Sequence, residues 1–267
     1  MSPADPMPVS SRAAAPLLEA RALAIAGRLS PLDIRWHGGQ LVALLGPNGS
    51  GKSTLLGALA GILPADGTVL LGGEVLTDMS WPELAQRRAM LPQRQPQLFH
   101  IPVFQVLSLG LDEMVAPARQ NEAINALCDA LELEALLARD FSRLSGGEQQ
   151  RVLIARTLLQ VWPSLNPTGK VLLLLLDEPL AGLDLHHQLA LLRLLKTLAG
   201  QGLLVVLAIH DINLAIDWAD RILCLQGGTV VREGGVELVD EALLAQVFQI
   251  RTDRIEAAGR VWFMPSL

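Results

Sequence analysis

Residues 40–45 read Gln-Leu-Val-Ala-Leu-Leu, and similar short apolar runs recur at 171–176, 203–208 and 222–225. Continuous runs of this length, without polar alternation, predict strands buried on both faces of a parallel sheet. The first run leads into a glycine-rich loop and a predicted helix from Lys52 to about Ile62. Residues 67–75 predict a second strand region turning at Gly72-Gly73, and 90–92 the end of another. Between about 95 and 160 the period changes. Ala123, Ala126, Leu127, Ala130 and Leu131 fall at helical spacing and no strand pattern interrupts them. The pattern is α/β with an inserted helical lobe. Residues 1–16, rich in Pro, Ala and Ser, read as a flexible tail, and 253–267 as a short extension with a strand near 261–264.

Composition narrows this only at a few points. Hydrophobic residues make up 51% of the 267, enough for a sizeable core. The net charge of −6 argues against a general nucleic-acid binder. No segment has the pattern of a secretory signal. The strongest apolar run, 171–176, is far shorter than the roughly 20 residues a bilayer demands, so a membrane role would come from partner chains. Cys128 and Cys224 lie too far apart for a zinc motif and read as packed, reduced thiols.

Gly46-Pro47-Asn48-Gly49-Ser50-Gly51-Lys52-Ser53 completes G-x-x-x-x-G-K-[ST] between a predicted strand and a predicted helix. Its glycines let successive N–H groups, with those of Ser53 and Thr54 at the helix start, point at phosphate oxygens. Lys52 would reach the β- and γ-phosphates, and the Ser53 hydroxyl would be a Mg²⁺ ligand. The embedded Asn48-Gly49-Ser50 sequon is a false match in such a loop. The leucine run at 171–176 ends in Asp177-Glu178-Pro179. Asp177 would hold Mg²⁺ through water, and Glu178 would polarise the attacking water or take its proton. Leu144-Ser145-Gly146-Gly147-Glu148-Gln149-Gln150-Arg151 reads locally as a capping box, yet its paired glycines also offer N–H groups at a helix start.

With these three motifs in order, the chain closely resembles the ATP-binding subunit of an ABC transporter, LSGGEQQR matching that family's signature. Leu91-Pro92-Gln93 is similar to the Q-loop, Ala181-Gly182-Leu183-Asp184 to the D-loop, and Ala208-Ile209-His210-Asp211 to the segment of the switch histidine. The resemblance spans about residues 17–235. It implies a P-loop NTPase core with a mostly parallel sheet, an antiparallel β subdomain and a helical subdomain at about 96–160. Residues 236–267 would form a C-terminal helix and extension. ATP and Mg²⁺ are the implied cofactors. Glu178, His210 and Gln93 would be catalytic; Ser53, Gln93 and Asp177 would serve the metal. The implied partners are a second copy, packed head to tail so that Ser145, Gly146 and Gly147 complete its nucleotide site, and two transmembrane permease subunits. A periplasmic binding protein would act through the permease at the cytoplasmic face of the bacterial inner membrane, and no nucleic acid is implied. Residues 95–104, with Phe99, His100 and Phe104, would meet the permease.

Family members usually stack an aromatic ring on adenine, about 20 residues before the phosphate loop. This chain has no tyrosine, and Trp36, expected on the strand leading into the loop, is its only aromatic residue before Trp81. The expected position falls near Ala24 to Arg28, where the Arg28 guanidinium could cover the base or lie in solvent. The cobalamin importer ATPases depart in a similar way. Their extended connection before the acidic strand resembles residues 159–170, and their Q-loop region resembles 93–97 with 101–103. Haem importers share part of this pattern, and haem and ferric-siderophore importers are the runners-up to the cobalamin resemblance. Adjacent His186 and His187 point about 100° apart on a helix and read as surface residues, not a chelating pair. A soluble non-transport ABC ATPase, of the translation or DNA-repair kind, would carry two cassettes or a long coiled coil, and neither is present.

Overall fold

In the computed structural model, which describes residues 15–93, 100–112, 115–162, 172–257 and 259–266, the chain opens with two antiparallel strands, β1 (Leu18–Ile25) and β2 (Leu29–Trp36). It then enters β3 (Leu41–Leu45) and helix α1 (Lys52–Leu59). β4 (Asp66–Leu71) and β5 (Glu74–Val75) return to β1 and complete a four-stranded antiparallel sheet, ordered β2-β1-β4-β5. Helix α2 (Trp81–Arg87) and β6 (Arg88–Leu91) follow, and then three helices: α3 (Val103–Ser108), α4 (Pro117–Leu131) and α5 (Gly146–Gln160). The rest alternates: β7 (Leu173–Asp177), α6 (Leu185–Gly200), β8 (Leu204–Ala208), α7 (Ile212–Trp218), β9 (Arg221–Gln226), β10 (Thr229–Gly234) and α8 (Glu241–Phe248). A hairpin of β11 (Thr252–Ala257) and β12 (Arg260–Pro265) closes it.

The six-stranded sheet has the order β10-β9-β3-β8-β7-β6, parallel except for the edge strand β10. Every residue of β3, β7 and β8 is buried, which is why these strands read as continuous apolar runs. Their side chains part between two cores. Leu41, Ala43, Leu45, Leu174 and Leu176 pack with α5 and α6, whereas Val42, Leu44, Leu173 and Leu175 pack with α1 and the antiparallel sheet. The architecture is that of a P-loop NTPase core, with the antiparallel sheet on one face and the helical insertion carried between β6 and β7.

Two expectations need correction. Trp36 is not on the strand entering the phosphate loop. It ends β2, fully buried in the antiparallel sheet's core, and its indole N–H donates to Glu233 Oε1 at 2.9 Å. A buried indole must pair its one donor, and Glu233 on β10 supplies the acceptor. Helix α1 stops at Leu59, before the expected Ile62, because Gly61 turns into the left-handed region at φ 69°. The expected strand near 261–264 is β12. Both cysteines are buried and free, and burial pushes the Cys224 thiol up to about 12. No described helix is long and apolar enough to cross a membrane.

Candidate active site

The phosphate loop links β3 to α1 at the carboxyl end of the parallel strands, where open α/β sheets bind ligands. Gly46, Gly49 and Gly51 all have positive φ. At Gly46 any side chain is excluded, since a Cβ would lie 2.2 Å from the Leu225 carbonyl oxygen. Helix α1 has no side-chain cap and no acidic residue in its first turn, so its leading N–H groups and the positive end of its dipole face the cleft. Lys52 is buried, and its ammonium donates to the carbonyls of Gly46 (2.7 Å) and Pro47 (3.1 Å). Burial pulls the Lys52 ammonium below the usual lysine value, while Glu178 and Asp177 draw it back up.

Three adjacent strand ends deliver the remaining polar groups. Glu178 follows β7 directly, Gln93 lies two residues beyond β6, and His210 lies two beyond β8. Both carboxylate oxygens of Glu178 are engaged: the Gln93 side-chain amide donates to Oε2 at 3.0 Å, and His210 Nε2 sits 2.6 Å from Oε1. Glu178 also adopts a left-handed backbone, φ 52°, rare for a residue with a side chain. Asp177, the last residue of β7, is buried, and its Oδ1 has no hydrogen-bond partner. Burial pushes its carboxyl above the ordinary range, and adjacent Glu178 adds to this; the Ser53 hydroxyl and Lys52 pull the other way. A buried, unpaired carboxylate oxygen beside a serine hydroxyl is the hard oxygen donor set that suits Mg²⁺.

The cleft bounded by these groups, about 590 Å³, also takes in Gly27, Arg28, Gly227 and Gly228. Arg28 is exposed on the turn between β1 and β2, at the rim. The Gly227-Gly228 turn of the β9–β10 hairpin is a member of the site that no motif announces. It joins three loops: Gly228 N–H donates to Ser50 O (2.9 Å) and Ser30 N–H donates to Gly228 O (2.7 Å). A Cβ on Gly228 would lie 2.4 Å from Arg28 O. A Gly-Gly pair between two apolar runs is a hairpin signal legible in the sequence, but nothing in it places the turn beside the phosphate loop.

The remaining expected residues lie apart from this cleft. Ser145 caps α5 and forms a reciprocal capping box with Glu148, as expected; Ser145 and Gly146 are exposed. Gly147 lies against the Gly182 carbonyl oxygen, only 2.9 Å from where a Cβ would stand, so the signature and D-loop segments abut within one chain. Asp184 caps α6, and His187, through its backbone N–H and then its ring, holds that carboxyl below the usual range. His186 and His187 engage Glu132 and Asp184 respectively (2.9 and 2.8 Å), and no cluster of three or more His, Cys, Asp or Glu among the described residues is arranged for a metal. Of the expected permease-facing stretch, 94–99 lie outside the described residues; His100 and Phe104 are exposed. Most of the extended connection, 163–171, is likewise outside them.

The ABC transporter family model matches residues 29–181. The vitamin B12 import ATP-binding protein of Yersinia enterocolitica is 41% identical, over 88% of this chain and 92% of that protein. Its counterpart of the same name from Vibrio cholerae is 40% identical, over 91% of this chain and 97% of that protein. Among solved structures, an inward-facing metal-chelate type ABC transporter superposes with a TM-score of 0.74 at 26% identity, covering 94% of this chain and 98% of the other. The signature motif, the phosphate loop and these likenesses agree, and the chain belongs to the ABC transporter family as an ATP-binding subunit that couples ATP hydrolysis to transport.

Proposed function

We propose that this subunit powers cobalamin import, as two head-to-tail copies beneath two membrane-spanning permease subunits at the cytoplasmic face of a bacterial inner membrane. A periplasmic binding protein would deliver the ligand to the permease. The observation that carries the substrate is the 37–42% identity, over nearly their whole length, to proteins named for vitamin B12 import. A haem or ferric-siderophore importer is the second reading, favoured by the likeness to a metal-chelate type transporter.

The residues have the following proposed roles. The α1 N-terminus and Lys52 bind the phosphates. Ser53, Asp177 and Gln93 would hold Mg²⁺, which when bound supplies positive charge against the phosphate oxygens. Glu178 takes the proton of the attacking water. Each of its oxygens has a further lone pair beside the bond to Gln93 or His210, and that water would occupy one of them. His210, beside Glu178 Oε1, would meet the γ-phosphate. Ser145, Gly146 and Gly147 of a second copy offer the α5 N-terminus to the same nucleotide and complete the site in trans.

Arg28 would lie over adenine. Arg28→Ala is expected to raise the KM for ATP with kcat held within about twofold; a cation–π contact of about 0.5–2 kcal/mol corresponds to about 2- to 30-fold. Steady-state ATPase assays read this directly, and an unchanged KM places Arg28 in solvent.

The substrate is tested by reconstituting the subunit with its own permease and binding protein in lipid. ATPase turnover and ATP-driven uptake are compared for cobalamin, haem and a ferric siderophore. Uptake and stimulation by cobalamin alone is expected. A response to haem or siderophore instead keeps the ATP site and replaces the substrate.

A further inference from the structure

We infer that the C-terminal hairpin sets the pose of His210, acting through α7, and that Asn213 is the positioning residue that transmits it. The inference rests on the role proposed above for His210.

His210 leaves β8 and is followed at once by Asp211, whose side chain caps α7 by accepting from Leu214 N–H at 2.9 Å. The histidine therefore moves with the first turn of that helix. Asn213 lies on the same turn, three residues on. Its side-chain amide pairs with β12 as a neighbouring strand would: Oδ1 accepts from Phe263 N–H at 2.8 Å and Nδ2 donates to Phe263 O at 3.1 Å. Two bonds to one residue's backbone fix both the roll and the height of α7 against the hairpin. Only one orientation of the amide satisfies both. Phe263 is itself 4% exposed within the main core, so the strand that reads Asn213 is anchored. Lower on the helix, Arg260 reaches Asp217 at 3.6 Å, a second tie between the same two elements. α7 makes only two turns, and no helix of that length keeps its place by its own hydrogen bonds. Ala215, with Ile212, Leu214, Ile216 and Trp218 around it, packs the helix onto the core, the hairpin adds the polar constraint, and His210 Nε2 lies 2.6 Å from Glu178 Oε1.

The test uses the full-length subunit assembled with its permease, with ATP-binding sites titrated so that turnover is expressed per bound ATP. Asn213→Ala is expected to lower that turnover about 10-fold with KM for ATP within about twofold, since an ångström of misplacement in a reacting group costs up to about 100-fold. Asn213→Asp keeps the acceptor for Phe263 N–H but sets a second carboxylate oxygen against Phe263 O, and is expected to lose at least as much turnover. Arg260→Glu, should Asn213→Ala fail to fold, is expected to act in the same direction. Normal turnover per bound ATP, with or without fewer intact sites, overturns the inference and leaves Asn213 a stability role. His210→Ala run in parallel separates the two readings: if it hydrolyses ATP normally, the role of His210 fails first; if it is inactive while Asn213→Ala is normal, only the positioning role fails.

Discussion

Lys52→Ala is expected to abolish measurable ATP hydrolysis and to weaken ATP binding about 10- to 150-fold. The binding figure follows from losing a charge-assisted hydrogen bond of about 1.5–3 kcal/mol to the phosphates. Turnover falls further because the charge matters most where negative charge is redistributed during phosphoryl transfer. The substitution also removes the donor that Gly46 and Pro47 now share, and these carbonyls lie around a buried ammonium. Some of the loss could then come from a rearranged loop. Lys52→Gln separates the effects, since its amide keeps an N–H donor for these carbonyls and deletes the charge. Titration of nucleotide binding beside steady-state hydrolysis decides the matter. Near-normal hydrolysis by either variant removes Lys52 from the site.

Glu178→Gln is expected to leave ATP binding intact and to cut hydrolysis by about 100- to 10,000-fold, the range for losing a general base. The substituted amide is nearly isosteric, and glutamine fits the φ 52° backbone no worse than glutamate does. With binding preserved and turnover halted, two copies should remain closed on ATP, so an ATP-dependent dimer is expected by size-exclusion chromatography with light scattering. Hydrolysis within tenfold of the parent would move the base elsewhere, and Asp177, buried with an unpaired oxygen, would be the next residue to test.

How far the sequence anticipates this molecule depends on the range of the forces involved. Strands β3, β7 and β8 are legible because a strand buried on both faces admits hardly any polar residue. The phosphate loop and the capping box at Ser145 are legible because their geometry closes within a few residues. Glu178 is legible from the acidic pair that ends the leucine run, whereas Gln93 and His210 are legible only through family resemblance; their meeting at one carboxylate depends on the lateral order β6-β7-β8, which no local pattern encodes. The place of Trp36 is hidden for a related reason. In β2, Leu32, Ile34 and Trp36 are buried while Asp33 and Arg35 are exposed, a period of two visible in the sequence. Its neighbour β1 is completed on the far side by β4, some forty residues from it in the chain, so the sheet that owns the tryptophan emerges only in three dimensions.

The left-handed backbone at Glu178 has a consequence for how such proteins change over generations. For a residue with a Cβ that conformation costs about 1–2 kcal/mol, a noticeable share of the roughly 5–15 kcal/mol that hold a domain folded. Selection for heat resistance alone would therefore favour asparagine here, which tolerates the same φ more readily. It would remove the reacting carboxylate with the strain. A lineage no longer required to consume ATP could drift that way without a folding barrier, so an ABC subunit with asparagine at this position is a natural form for a retired motor that still binds nucleotide and still holds its place in the complex.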